Sequence, residues 1–144
     1  MAGIEPLPTH LTLEVVTPDR SVVTERVDEV EIPGADGYFG VLPGHTPLLA
    51  MLQVGELWYR KGTEKVYLSI AFGFAEVLPD RVTILAQLAE RADEIDIARA
   101  EAAKRRAEER IAKGVLDMDY ERARVALMKA LVRIQVSARA RTRA

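Results

Sequence analysis

The chain has 144 residues, with 20 Lys and Arg against 22 Asp and Glu, two His and no Cys. Lack of Cys excludes a disulfide scaffold, thiolate catalysis and any Cys-ligated zinc or iron–sulfur centre. Two histidines, His10 and His45, are too few for a His-rich metal site, so no metal is expected.

Distribution says more than the totals. Of 16 Gly and Pro residues, 15 precede residue 80 and only Gly114 follows it. Fifteen of 20 Ala lie at or beyond Ala86, whereas seven of eight aromatics come before residue 80. Residues 1–89 carry six basic and 12 acidic side chains, net −6; residues 90–144 carry 14 basic and 10 acidic, net +4. Two units are therefore expected, residues 1–90 and 91–144. At 49% hydrophobic and 29% charged, the chain reads as globular. No apolar run approaches ~18 residues, and residues 1–9 lack a basic start and hydrophobic stretch, so neither a membrane span nor a secretory signal is expected.

The first unit reads as short strands between turns. Leu11, Leu13 and Val15 alternate with Thr12, Glu14 and Val16, the period of a half-buried strand. Pro18-Asp19-Arg20-Ser21 is a turn, followed by strands at Val22–Thr24 and Val27–Ile32 and a loop from Pro33 to Gly37. Further strands are expected at 57–60, 65–70, 74–78 and 82–86, with hairpin turns at Lys61-Gly62-Thr63-Glu64 and Leu78-Pro79-Asp80-Arg81. This pattern predicts an antiparallel sandwich or barrel.

The second unit reads as an antiparallel two-helix hairpin. From Asp93 to Lys113 the residues are mainly Ala, Glu, Arg and Lys, strong helix formers. Ala92, Ile95, Arg99, Ala102/Ala103, Ala107 and Ile111 recur at helical steps and predict one narrow face. Gly114 follows Lys113 as a helix-ending glycine, and Asp117 or Asp119 can cap a second helix running to about Arg139. That helix carries two apolar stripes: Tyr120, Ala123, Leu127, Leu131 and Ile134, then Val125, Met128, Val132 and Val136. One stripe suits the first helix; the other needs a second surface, either the sandwich alone or different partners in different states. A hairpin of about 50 residues buries too little to be rigid alone. After Glu121 come Arg122, Arg124, Lys129, Arg133, Arg139, Arg141 and Arg143 with no acid, a composition suited to an acidic partner.

Catalytic motifs are missing. Gly34, Gly37, Gly40 and Gly44 cluster without a following Gly-Lys-Ser/Thr, which excludes a P-loop. Ser21, Ser69 and Ser137 have no nucleophile elbow around them, and His45 lies in a Pro-Gly-His-Thr-Pro turn. Asp28, Glu29 and Glu31 read as a solvated strand face. The basic tail lacks interleaved aromatics, and the chain as a whole is slightly acidic, unlike a nucleic-acid binder.

The string from Gly37 to Leu48 (GYFGVLPGHTPL), then Phe74-Ala75-Glu76-Val77, Val82-Thr83-Ile84-Leu85-Ala86 and Ile95-Asp96-Ile97-Ala98-Arg99-Ala100, resembles the ε subunits of bacterial ATP synthases. The resemblance covers nearly the whole chain in order. It implies a β-sandwich of about ten strands followed by two helices. It also implies a non-catalytic central-stalk subunit, peripheral to the cytoplasmic face of the bacterial plasma membrane. In the family the sandwich binds the γ subunit and the ring of c subunits. The hairpin permits ATP hydrolysis when folded on the sandwich and blocks it when extended along γ into the α/β head. The implied ring contacts are Asp36, Tyr38 and His45, and the implied β-subunit contacts are Arg122, Arg124, Lys129 and Arg133, with Gly114 as hinge. No cofactor is required. ATP is a candidate regulatory ligand of Ile95, Asp96, Arg99 and Ala100, with Glu90, Arg106, Lys129 and Arg133 at accessory positions. Lys129 stands where nucleotide-binding relatives have Arg, which keeps the charge and loses the bidentate fork. Many relatives have Glu in place of Tyr38, and a Gly in place of Phe72. The competing classes are a free-standing module whose basic hairpin binds nucleic acid or anionic lipid, and a small hydrolase, for which no nucleophile or metal set is present.

Overall fold

The computed structural model describes residues 6–114 and 117–141, with 117, 118 and 141 as helical backbone only. Seven strands come first: β1 Leu11–Val16, β2 Ser21–Val27, β3 Glu29–Gly34, β4 Gly37–Val41, β5 Leu48–Lys61, β6 Glu64–Leu78 and β7 Arg81–Arg91. A 3-10 turn at Ala92–Glu94 leads to α1 Ile97–Ala112 and α2 Asp117–Arg141. Leu11, Leu13 and Val15 are fully buried while Thr12, Glu14 and Val16 are half-buried, as the period of two requires. Gly62-Thr63 and Pro79-Asp80 make the two expected hairpin turns, the first with Gly62 at φ +61°.

The strands form one ladder, in the order β2-β1-β7-β6-β5-β3-β4. Its pairs are antiparallel except β1 with β7, which is parallel. That exception departs from the expected all-antiparallel sandwich. The chain from Val16 to Arg81 supplies the long crossover a parallel pair needs, and local patterning carries no trace of it.

The number of strands also differs from about ten. β5, β6 and β7 run for 14, 15 and 11 residues, each longer than the short strand read from the turns. Fifteen extended residues span roughly 50 Å, whereas a domain of about 90 residues is roughly 30 Å across. The long strands must therefore bend through both layers; β2 touches β5 although they are four places apart in the ladder. Counting β5, β6 and β7 once per layer brings seven strands to ten. Within β6 the chain turns at Phe72 and Gly73, whose φ values are +58° and +123°. A Cβ on Gly73 would stand 1.9 Å from the Leu85 carbonyl oxygen, so the crossing of β6 over β7 demands glycine there. Between the layers lie Tyr59, Leu57, Leu68, Ile70, Ile84 and the inward face of β1.

The first helix starts later than its composition suggests. Ile95 and Asp96 are extended, and the Asp96 side chain accepts the Arg99 N–H at 3.0 Å as N-cap. This break shifts the helical phase. Ile95, Ala100 and Ala107 are buried, and Arg99, expected on that face, is exposed. At the other end Gly114 has φ +66° and donates its N–H to the Ile111 carbonyl, the left-handed ending its position predicted. α2 begins at Asp117, so Asp119 lies inside its first turn; the side chain of Asp117 falls outside the described residues. Ala100 and Ala107 on α1, and Ala123 and Ala130 on α2, are all at most 2% exposed. Seven-residue spacing puts each pair on one face, where the absence of larger side chains lets the helices approach closely.

Candidate functional site

Register places two acids where α2 meets the sheet. Glu56 of β5, Ser69 of β6 and Glu90 of β7 stand side by side on one row. The two carboxylates are thus two strand spacings apart, about 10 Å. On α2, Arg133 and Arg139 are separated by six residues, about 9 Å of helix. The match is met at both ends. Arg133 donates from Nε and Nη2 to Glu90 at 2.7 and 3.3 Å, and Arg139 donates from Nε and Nη2 to Glu56 at 3.2 and 3.0 Å. Ser69, small and buried between the acids, leaves room for the helix.

Two cation–π contacts extend the grip. Lys129 Nζ lies 5.6 Å from the Phe72 ring centre and the Arg139 guanidinium 4.8 Å from that of Tyr67. Glu56 is only 8% exposed. Its hydrogen bond raises the pKa of Arg139 further, against the opposing effect of burial. Of the two apolar stripes, Ala123 and Val136 are buried and Leu127, Ile134, Val125, Met128 and Val132 are half-buried, while Tyr120 and Leu131 remain exposed. So α2 packs on both α1 and the sandwich, and two ion pairs tie it to the sandwich.

The residues singled out for ATP divide into two groups. Glu90, Lys129 and Arg133 converge at the edge of this interface. Ile95 and Ala100 are buried, Asp96 caps α1, and Arg99 and Arg106 are exposed on α1. A cavity of about 280 Å³ lies beside Arg139, walled by Tyr67, Arg91, Ala92 and Asp93, and contains none of these candidates. In the basic tail, Lys129 and Arg133 are turned onto the sandwich, Arg122 is exposed, and Arg124 pairs with Glu121 at 3.0 Å. Arg143 falls outside the described residues.

The candidate ring contacts are not brought together. Asp36 lies in the β3–β4 turn beside Tyr38, whereas His45 lies beyond the opposite end of β4. The His45 segment is tied to the β6–β7 turn by Gly44 N–H to Pro79 carbonyl, 2.7 Å, and the ring Nδ1 is 2.6 Å from the Thr46 carbonyl. Tyr38 is half-exposed, with its hydroxyl turned back onto β5.

Sequence reading passed over two features. Glu56 and Arg139 are 83 positions apart and gave no local signal; only the acid's place in a long apolar strand hinted at a partner. The second is an apolar row on the outer sheet face, where Met51, Phe74 and Leu85 are paired across β5, β6 and β7 and are 61%, 57% and 54% exposed. Exposed large side chains in register across three strands mark a contact surface.

Fold and surface together define a β-sandwich with a helical hairpin seated on it and an open apolar face, the build of a subunit in a larger assembly. Residues 10–92 match the family model described as ATP synthase, Delta/Epsilon chain, beta-sandwich domain, and residues 93–138 match the corresponding long alpha-helix domain. The chain belongs to this ATP synthase delta/epsilon-chain family. It is 52% identical over 130 residues to ATP synthase epsilon chain 2 of Syntrophotalea carbinolica, covering 90% of this chain and 94% of that one. It is 50% identical to the epsilon chain of Syntrophobacter fumaroxidans, covering 88% and 95%. Among solved structures, a chain of the Euglena gracilis mitochondrial ATP synthase OSCP/F1/c-ring assembly superposes with TM-score 0.77 at 25% identity, covering 89% of this chain and 81% of that one. A chain of the Tetrahymena thermophila central stalk/c-ring shares the fold at TM-score 0.56 and 14% identity, covering 94% and 98%.

Proposed function

We propose that the chain is a non-catalytic rotor-stalk subunit of a bacterial ATP synthase that also restrains hydrolysis through its hairpin. Family membership supports the first part. The apolar row of Met51, Phe74 and Leu85 offers the sandwich a face for γ, and the β3–β4 turn with Asp36 and Tyr38 offers one for the c ring. The complex then holds the chain peripherally at the cytoplasmic face of the plasma membrane.

One observation supports the inhibitory part: two Arg–Glu pairs, Arg133 with Glu90 and Arg139 with Glu56, tie α2 to the sandwich. The Arg133–Glu90 pair is partly exposed and the Glu56 carboxylate nearly buried, so release of α2 requires replacement ionic contacts from a partner. Released from Glu56 and Glu90, the acid-free stretch after Glu121 can meet an acidic segment of the β subunits, with Gly114 as the hinge. ATP joins as a regulatory ligand of the seated hairpin through Arg99, Arg106, Lys129 and Arg133.

ATPase activity of the assembled complex tests this. Removing residues 97–144 leaves β7 whole, and hydrolysis should rise while the complex still assembles. An unchanged rate removes the inhibitory role; failure to copurify with γ removes the rotor role.

A further inference from the structure

We infer that Tyr38 is a positioning residue for the hairpin: through the backbone of Glu56 it sets the carboxylate that seats Arg139, linking the β3–β4 turn to the end of α2. The Tyr38 Oη accepts the Glu56 N–H at 3.1 Å. A Cβ on Gly55 would stand 2.5 Å from that oxygen and 2.6 Å from the Pro33 Cβ, so the tyrosine reaches β5 only because residue 55 is glycine. One residue on, the Glu56 carboxylate is buried and gives both oxygens to Arg139. Arg139 in turn covers the Tyr67 ring. Hydroxyl, amide, carboxylate and guanidinium thus form one unbroken series of contacts from the turn to the last turns of α2.

The physical sense of the series lies in its tolerances. A partly buried amide stripped of its acceptor is left unpaired at a cost and shifts to find another partner. A bidentate carboxylate–guanidinium pair has a fixed planar geometry, so movement of the Glu56 backbone is felt at Arg139. Tyr38 is 52% exposed and keeps its own O–H to donate. A partner presenting a carboxylate or carbonyl at the turn can draw the ring off Gly55, and contact on one face then loosens the helix on another. That the turn meets another rotor subunit rests on the function proposed above; the linkage is internal to this chain.

Hydrogen–deuterium exchange on the full-length chain tests it without any partner, so its failure leaves the rotor function standing and failure of that function leaves it intact. Tyr38→Phe removes only the hydroxyl. Amides of residues 130–140 should exchange roughly five- to tenfold faster, with those of β1 unchanged. In an Arg139→Ala background, where the carboxylate has no guanidinium to place, the same change should do nothing further. Equal acceleration in both backgrounds, matching loss of protection in β1, or no change in α2 would each overturn the proposal. Glu56→Gln, which leaves Tyr38 in place, should speed the same α2 amides; if it does not, the link is broken at its carboxylate end.

Discussion

Glu56 and Glu90 occupy one row of the sheet, two strands apart, and each is closed by an arginine from the same helix. Their separation across the strands, about 10 Å, is close to the axial rise of about 9 Å between Arg133 and Arg139, so α2 satisfies both acids by lying across β5, β6 and β7. The row acts as a gauge for the seated position.

Breaking one end should therefore loosen the whole helix. The Arg133 and Glu90 side chains are 21% and 33% exposed, between a surface pair and a fully buried one. A double-mutant cycle with Arg133→Ala and Glu90→Ala should give a coupling of about 1–2 kcal/mol in exchange protection of α2, shrinking as salt is raised. Additivity of the two changes would mean that apolar contact seats the helix instead.

Phe72 has φ +58°, a left-handed conformation that a bulky side chain adopts at a cost. Phe72→Gly should leave the unfolding free energy of the sandwich, read by urea, unchanged or raise it by up to about 1 kcal/mol, while removing the ring beneath Lys129 and loosening α2. The neighbouring Gly73→Ala should do the opposite. Its Cβ meets backbone, which has nowhere to go, and a loss of about 3 kcal/mol or more in unfolding free energy is expected.

At the far end of the sandwich Asp28 joins β2 to the β5–β6 turn. Its carboxylate accepts the Gly62 N–H at 2.7 Å, and that bond, with His10 at 3.2 Å and Arg60 at 3.7 Å adding to it against the effect of burial, holds its pKa below the usual 3.8. The folded chain thus prefers the ionised form. Stability from Asp28 is present above about pH 4 and is lost as the pH falls through the lowered folded value. Urea midpoints of the native chain and Asp28→Asn should differ at pH 7 and converge as the pH falls through the lowered folded value.

Nucleotide binding can be checked on the isolated chain. Calorimetry with ATP should register binding, and Arg99→Ala or Arg133→Ala should each weaken it tenfold or more, since each removes a charge-assisted phosphate contact worth about 1.5–3 kcal/mol. No heat at millimolar ATP would withdraw ATP as a ligand and leave the ionic seat of α2 unaffected.

Much of the sandwich was legible because its signals are local. Leu11, Leu13 and Val15 alternate, Gly62 and Pro79 bend the chain within two residues, and Gly114 ends α1. β5 was harder. From Leu48 to Gly55 apolar residues sit on both faces, one turned to the core and the other to the open row around Met51, so no alternation marks the strand. The first helix was read one position out of phase at Arg99 because the extended Ile95–Asp96 step interrupts a run that composition alone presents as continuous.

Periodicity, turn chemistry and the separation of Gly and Pro from Ala were enough to establish a β unit followed by a helical hairpin, since each acts over a few residues. The seating of the hairpin was settled elsewhere. Glu56 meets Arg139, Glu90 meets Arg133 and Tyr38 meets Glu56 across 83, 43 and 18 positions of chain. Such meetings depend on strand register and on the bend at Phe72 and Gly73, and these come into being only when the layers close on one another.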